Sequence, residues 1–197
     1  MIITTHNFDE LTEQLINSTD TYLFNLKDLP DAFEYTPTKE DLKKSIRDHD
    51  KFSSMFAELD AKRGSCLYWF EVDDNPCCSS LIEKLNIVRP LLRGQGNIRI
   101  VPVMNKNSNS NVLYVGIRRK GWTEKWKLSN ISGRIIQHLG YYRVGTTQGL
   151  QLAHWASDSD LQIKLNVIEF EEYFPNEYLE ALEKIMAHRL KPLCGKH

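Results

Sequence analysis

Five residues stand at spacings that could serve chemistry. Tyr68 follows Leu67 in one aromatic, β-branched run, and Tyr114 opens a Tyr-Val-Gly triplet, residues 114–116, in another. Arg134 and His138 are four apart, a spacing that puts both side chains on one face of a helix. Glu183 precedes Pro192 by nine residues. A guanidinium can grip an oxyanion through two parallel N–H groups, which a lysine does less well. A carboxylate can hold a hard divalent cation. Phenols and an imidazole can hold or pass protons. Taken singly, each residue has an ordinary reading. A strand tyrosine usually packs with a tethered hydroxyl, and a helix arginine or glutamate is usually a solvated charge. A lone histidine is usually hydrogen-bonded or solvated. Their joint order carries the weight.

The elements that must position these residues can be read from the same pattern. Asn7 to Ile16 predicts a helix with Leu11, Leu15 and Ile16 on one face. Pro30 and Pro37 bracket an irregular stretch, and Thr38 caps an expected long charged helix to about Ala61. Cys66–Val72 predicts a strand, Ser80 onward a short helix disturbed at Pro90, and Ile98–Met104 a second strand with an edge-favouring Pro102. Val112–Arg118 predicts a third strand. Residues 129–139 predict a helix capped by Ser129 or Asn130, followed by a short helix at 150–156, a strand at 161–170 and a closing helix at 177–191. The expected class is α+β: a small mixed or antiparallel sheet flanked by helices. Residues 1–63 are expected to form a helical N-terminal extension. Residues 64–197 then form the main domain, with an insertion at about 73–111.

The order Leu-Tyr, Tyr-Val-Gly, Arg-x3-His and Glu-x8-Pro resembles the GIY-YIG endonuclease family, over about residues 64–197. The resemblance implies a divalent-cation-dependent DNA endonuclease, with Mg²⁺ or Mn²⁺ as cofactor and DNA as partner. It assigns the signature tyrosines to Tyr68 and Tyr114, the helix arginine to Arg134 and the metal-binding glutamate to Glu183. His138 matches a histidine that some restriction members carry. Tyr68 is the implied candidate for water activation, although an unperturbed phenol near pKa 10 is a poor base at neutral pH. The sequence departs from the family pattern in three places. Cys66 stands where the first motif opens with glycine, the two tyrosine motifs are separated by the insertion, and Gly195 stands where many members carry asparagine. A family-like module that binds nucleic acid or protein without cutting is the alternative.

The charge balance has to agree with such a partner. The 197 residues carry 25 Lys+Arg against 26 Asp+Glu. That near-neutral total argues against a phosphate-rich partner if the charge is evenly spread. It is not: residues 1–63 balance at -5 and residues 64–197 at +4. Arg118, Arg119, Lys120, Lys125, Lys127, Arg134 and Arg143 face only Glu124 between 112 and 149. Arg118 and Lys120, directly after the Tyr-Val-Gly strand, are the expected phosphate contacts. The acidic extension is expected to cap the sheet or to make a dimer or partner contact. Cys66, Cys77, Cys78 and Cys194 lack zinc-ligand spacing. With no signal-like start and no apolar run long enough to span a membrane, a cytoplasmic protein with reduced thiols is expected.

Overall fold

Alternating apolar residues from four segments meet in one antiparallel sheet. In the computed structural model, residues 5–35, 44–73, 75–94, 101–107, 110–120, 130–142 and 149–195 are described. Strands β1 (Asp20–Asn25), β2 (Cys66–Val72), β3 (Val112–Arg118) and β4 (Gln162–Glu169) are ordered β1-β4-β2-β3. All three neighbouring pairs are antiparallel, so the sheet is not mixed.

The period-2 pattern sends side chains to two cores. Tyr68, Phe70, Val72, Ile163, Leu165 and Val167 face one of them. Helices α2 (Ala32–Tyr35), α3 (Ser53–Ala61), α4 (Asn75–Gly94), α5 (Ile131–Leu139) and α6 (Leu152–Trp155) cover that side. Leu67, Trp69, Val115 and Ile168 face the other, beneath α7 (Asn176–Leu190) with α1 (Thr5–Asn17) against it. The fold is therefore α+β, with helices on both faces of the sheet. No helix among the described residues is long and apolar enough to cross a membrane.

Several elements depart from the sequence-based expectation. Residues 1–63 are not a helical extension, because β1 is an edge strand of the sheet itself. Its register runs from Asp20 opposite Val167 to Asn25 opposite Gln162. Phe52, Phe56 and Leu59 belong to the same core as Tyr68, so the boundary expected at 63/64 does not separate two packing units. Within the described part of the expected long helix, 44–61, the helical pieces are a 3-10 turn at Ile46–Asp48 and α3. Its expected cap, Thr38, lies outside the described residues. Helix α4 runs through Pro90, longer than the short helix expected there.

The strand expected at 98–104 is absent where it is described, at 101–104, apart from a single bridge at Met104; residues 98–100 lie outside the described part. Pro102 has no N–H to give to a ladder. Neighbouring backbone bonds instead to the segment after α7: Asn105 N–H donates to the Leu193 carbonyl at 2.7 Å and Gly195 N–H to Val103 at 3.0 Å. Leu193 and Cys194 N–H donate in turn to Val112 and Leu113, which covers part of the outer edge of β3.

Candidate active site

Tyr68 and Tyr114 come from the adjacent strands β2 and β3, on the face covered by α5. Gly116 is the residue paired with Tyr68 across the two strands. A Cβ at 116 would sit 2.8 Å from Tyr68 Oη and 2.5 Å from Tyr114 Cε1. The glycine of the Tyr-Val-Gly triplet therefore makes room for both phenols. Their rings lie 6.1 Å apart, centroid to centroid, and 28° from parallel.

Helix α5 delivers the other two groups. Asn130 caps it, with Oδ1 accepting from Gly133 N–H at 3.0 Å. Ser129, the other expected cap, lies outside the described residues. The Asn130 amide donates to Asp60 Oδ1 of α3 at 3.2 Å, and Asp60 Oδ2 also accepts from Arg47 Nε at 2.9 Å. Residues from the N-terminal third thus fix the start of the helix that carries the site. At its other end Gly140 adopts φ 105, the left-handed conformation that closes a helix cheaply only for glycine.

One turn apart on α5, Arg134 and His138 converge on a single oxygen. Arg134 Nε donates to Tyr68 Oη at 2.9 Å, and His138 Nε2 lies 3.0 Å from the same atom. The direction of the second bond follows from the far side of the ring. His138 Nδ1 accepts from Leu150 N–H at 3.2 Å, so the neutral imidazole carries its proton on Nε2 and donates to the phenol. Arg134 Nη1 donates to Gln137 Oε1 at 2.9 Å, and Nη2 reaches Tyr114 Oη at 3.4 Å. Tyr114 packs on the imidazole with centroids 4.6 Å apart.

Burial sets the protonation states. His138 and Tyr68 have 0% exposure. Burial, then the Arg134 cation, holds His138 well below its usual range, so the ring is neutral. Burial pushes the Tyr68 phenol up; the Arg134 cation pulls the other way, and the Tyr114 oxygen and the Glu183 carboxylate add to the rise. Tyr68 is therefore a neutral phenol whose oxygen accepts two bonds, leaving its own proton as the one it can give. Burial also works against the Arg134 cation, but the two phenol oxygens outweigh it and the charge is kept. Cys66, where the family carries glycine, is buried, and burial with the nearby Glu169 pushes its thiol up to about 12. It is a packing residue and not a nucleophile.

No protein-family model matches this chain, and no curated protein or solved structure matches it either.

The remaining expected residues divide. Glu183, half-buried on α7, is close enough to Tyr68 to act on its ionisation. Arg118 is drawn in as well: burial, then the charge of Arg134, lowers its pKa, and Tyr68 partly offsets this. Two guanidiniums within each other's field form a pair that an anion would stabilise. Lys120 is not brought to this group. Its Nζ donates to Glu172 at 2.5 Å and lies 5.0 Å from the Tyr173 ring centroid. Arg119 pairs with Glu180. Lys125, Lys127 and Arg143 lie outside the described residues.

Among the described residues no group of three or more His, Cys, Asp or Glu side chains could hold a metal ion. Fewer than three such side chains therefore meet at Glu183 among the described residues. That suits Mg²⁺, which keeps several waters and takes phosphate oxygens for its remaining positions. It does not suit zinc, which needs three or four protein ligands. Gln137, the Leu150 backbone and Asp60 are parts of the arrangement that sequence reasoning missed. Gln137 could have been found, because it lies three residues after Arg134 on the same helical face.

Proposed function

We propose that this chain is a DNA endonuclease of the GIY-YIG type, dependent on Mg²⁺ or Mn²⁺. The observation that carries the reading is the convergence of Arg134 and His138 on Tyr68 Oη, with Tyr114 against the same guanidinium and Glu183 within electrostatic reach. Phosphodiester hydrolysis needs a pentavalent phosphate neutralised, a water aimed and a leaving oxygen assisted. Arg134 and Arg118 supply the neutralisation. Tyr68 holds Arg134 through Nε and Gln137 holds it through Nη1, so the guanidinium plane is set before a phosphate arrives. His138, with its tautomer locked by Leu150, keeps the phenol oriented. The half-buried Tyr114 hydroxyl is the phenol placed to reach solvent. Tyr68 is wholly buried, so in this conformation it acts as a positioning group for Arg134; the Arg134 cation is what lowers the pKa of the phenol, so drawing it away would leave Tyr68 a weaker candidate for water activation. A divalent ion held by Glu183 would supply further neutralisation of the phosphate and the leaving oxygen.

The test is cleavage of supercoiled and linear plasmid with Mg²⁺ by the wild type, Glu183→Ala and Arg134→Lys. Cleavage abolished by Glu183→Ala and strongly reduced by Arg134→Lys supports the reading. Cleavage unaffected by Glu183→Ala sinks the assigned site. The total burial of Tyr68 favours a second reading, a module that binds nucleic acid or protein and no longer cuts. Tight binding of duplex or branched DNA without Mg²⁺, with no cleavage of any form, would select it.

A further inference from the structure

The last turns of α7 form a feature that the site does not use. Asn105, Asn107, Lys184, His188, Lys191 and Pro192 line a surface groove of about 450 Å³, and no acidic side chain among the described residues lines it. Lys184 and His188 are one turn apart on α7 and Lys191 is its C-cap residue, so the three make one basic stripe along the groove. The helical charges around the stripe are otherwise engaged: Glu180 pairs with Arg119, and Arg189 with Glu13. Among the described residues none of the three stripe residues forms an ion pair.

Cations near a helix C-terminus usually serve its exposed carbonyls. Here one other side chain serves the last helical carbonyl, and two more serve the turn after it. Ser110 Oγ donates to the Leu190 carbonyl at 2.9 Å, and the side-chain amides of Asn105 and Asn107 donate to the Pro192 carbonyl at 2.9 and 3.0 Å. The stripe is left for an external anion. Lys191 also holds φ 49, ψ 58, a left-handed cap where glycine is the low-energy residue. A lysine kept there keeps its charge in the groove at the expense of backbone strain.

We infer that this groove binds the phosphates of one DNA strand beside the scissile position. The inference rests on the endonuclease reading for the place of that strand. Lys184 and Lys191 are seven residues apart, about 10 Å at 1.5 Å per residue. That separation suits two phosphates of one strand, one at each lysine. Glu183 lies on the same helix but on a neighbouring face, so the endonuclease reading puts this strand beside the site and not in it.

Binding of a fluorescent duplex is measured by anisotropy in EDTA across a salt series, with the full chain. Lys184→Gln/Lys191→Gln should bind more weakly, and its slope of log K against log salt should be shallower by about 2, since each phosphate contact contributes about 0.9. Lys191→Gly should raise the thermal midpoint by relieving the backbone while still weakening binding, which separates the contact from fold damage. An unchanged slope, or no measurable binding by the wild type, overturns the inference. Plasmid cleavage by the wild type decides the endonuclease reading separately. Cleavage with an unchanged slope removes the groove alone, whereas a shallower slope without cleavage upholds the groove and removes the nuclease.

Discussion

His138 donates to Tyr68 Oη across 3.0 Å, from a ring whose other nitrogen is occupied by the Leu150 N–H. The same oxygen accepts from Arg134 at 2.9 Å. Tyr68→Phe removes one atom and leaves a buried donor, His138, and a half-buried one, Arg134, without that acceptor. An unsatisfied buried donor costs about 1–3 kcal/mol and a half-buried one less, so the variant should lose about 2–4 kcal/mol in urea denaturation. Plasmid cleavage should fall by about 10²-fold or more, because Arg134 loses the partner that orients it. A variant that unfolds like the wild type would show that the oxygen is not the hub of these bonds.

The neutral state of His138 makes stability fall in acid. Its folded pKa is depressed, so below the ordinary histidine value the unfolded chain takes up a proton that the folded chain refuses. The contribution is present above about pH 6.5 and lost as pH falls. One such group removes about 2 kcal/mol between pH 7 and pH 5, at about 1.4 kcal/mol per unit once titration is complete. Urea melts across that range, compared with His138→Gln, measure it. The variant should start less stable and show a flatter acid limb. Equal slopes for both proteins would place the acid sensitivity elsewhere.

Gly116 offers a test of space alone. The alanine methyl would sit 2.5 Å from Tyr114 Cε1 and 2.8 Å from Tyr68 Oη. Both rings would have to move, at an overpacking cost of about 1–3 kcal/mol. Gly116→Ala should stay folded with a lowered thermal midpoint and lose most of its cleavage, because the Tyr68–Arg134–His138 bonds depend on where the phenol sits. Full activity in a folded variant would show that the phenols tolerate displacement.

How much of this could be read from the chain depends on the range of the interaction. Arg134 and His138 were legible as a pair because helix periodicity is local, and β2, β3 and β4 were legible from their aromatic and β-branched runs. Residues 20–25 were not, although Tyr22 and Phe24 alternate inward and Leu23 outward. Six residues of alternation are a weak local signal. What makes them a strand is pairing with β4, including the Thr21 hydroxyl donated to Asn166, 145 positions away. The spacing from Glu183 to Pro192 was visible, but its anchoring was not: the Pro192 carbonyl is held by Asn105 and Asn107 from a distant loop. The charge division was visible too, yet it does not mark a module boundary. The acidic N-terminal third shares its core with the basic remainder, and Asp60 holds the cap of the helix that carries Arg134.

That sharing ties the fold of residues 64–197 to the N-terminal third. Removing residues 1–63 strips β1 from β4 and exposes Ile163, Leu165 and Val167, which pack in the core with Tyr22, Phe24, Phe52, Phe56 and Leu59. Five buried large side chains, at about 1.5–3 kcal/mol each, together match the 5–15 kcal/mol that typically holds a domain together. The fragment 64–197 should therefore be unfolded or aggregated by circular dichroism and gel filtration. Asp60→Ala probes the same coupling more gently. It frees the Asn130 amide and the Arg47 guanidinium but leaves the core intact, so the variant should fold with a loss of about 1–2 kcal/mol. Its cleavage rate should drop by more than its stability explains, because α5 loses the tether at its first turn. A stable, fully active 64–197 fragment would overturn both expectations and restore the N-terminal third to the status of an independent cap.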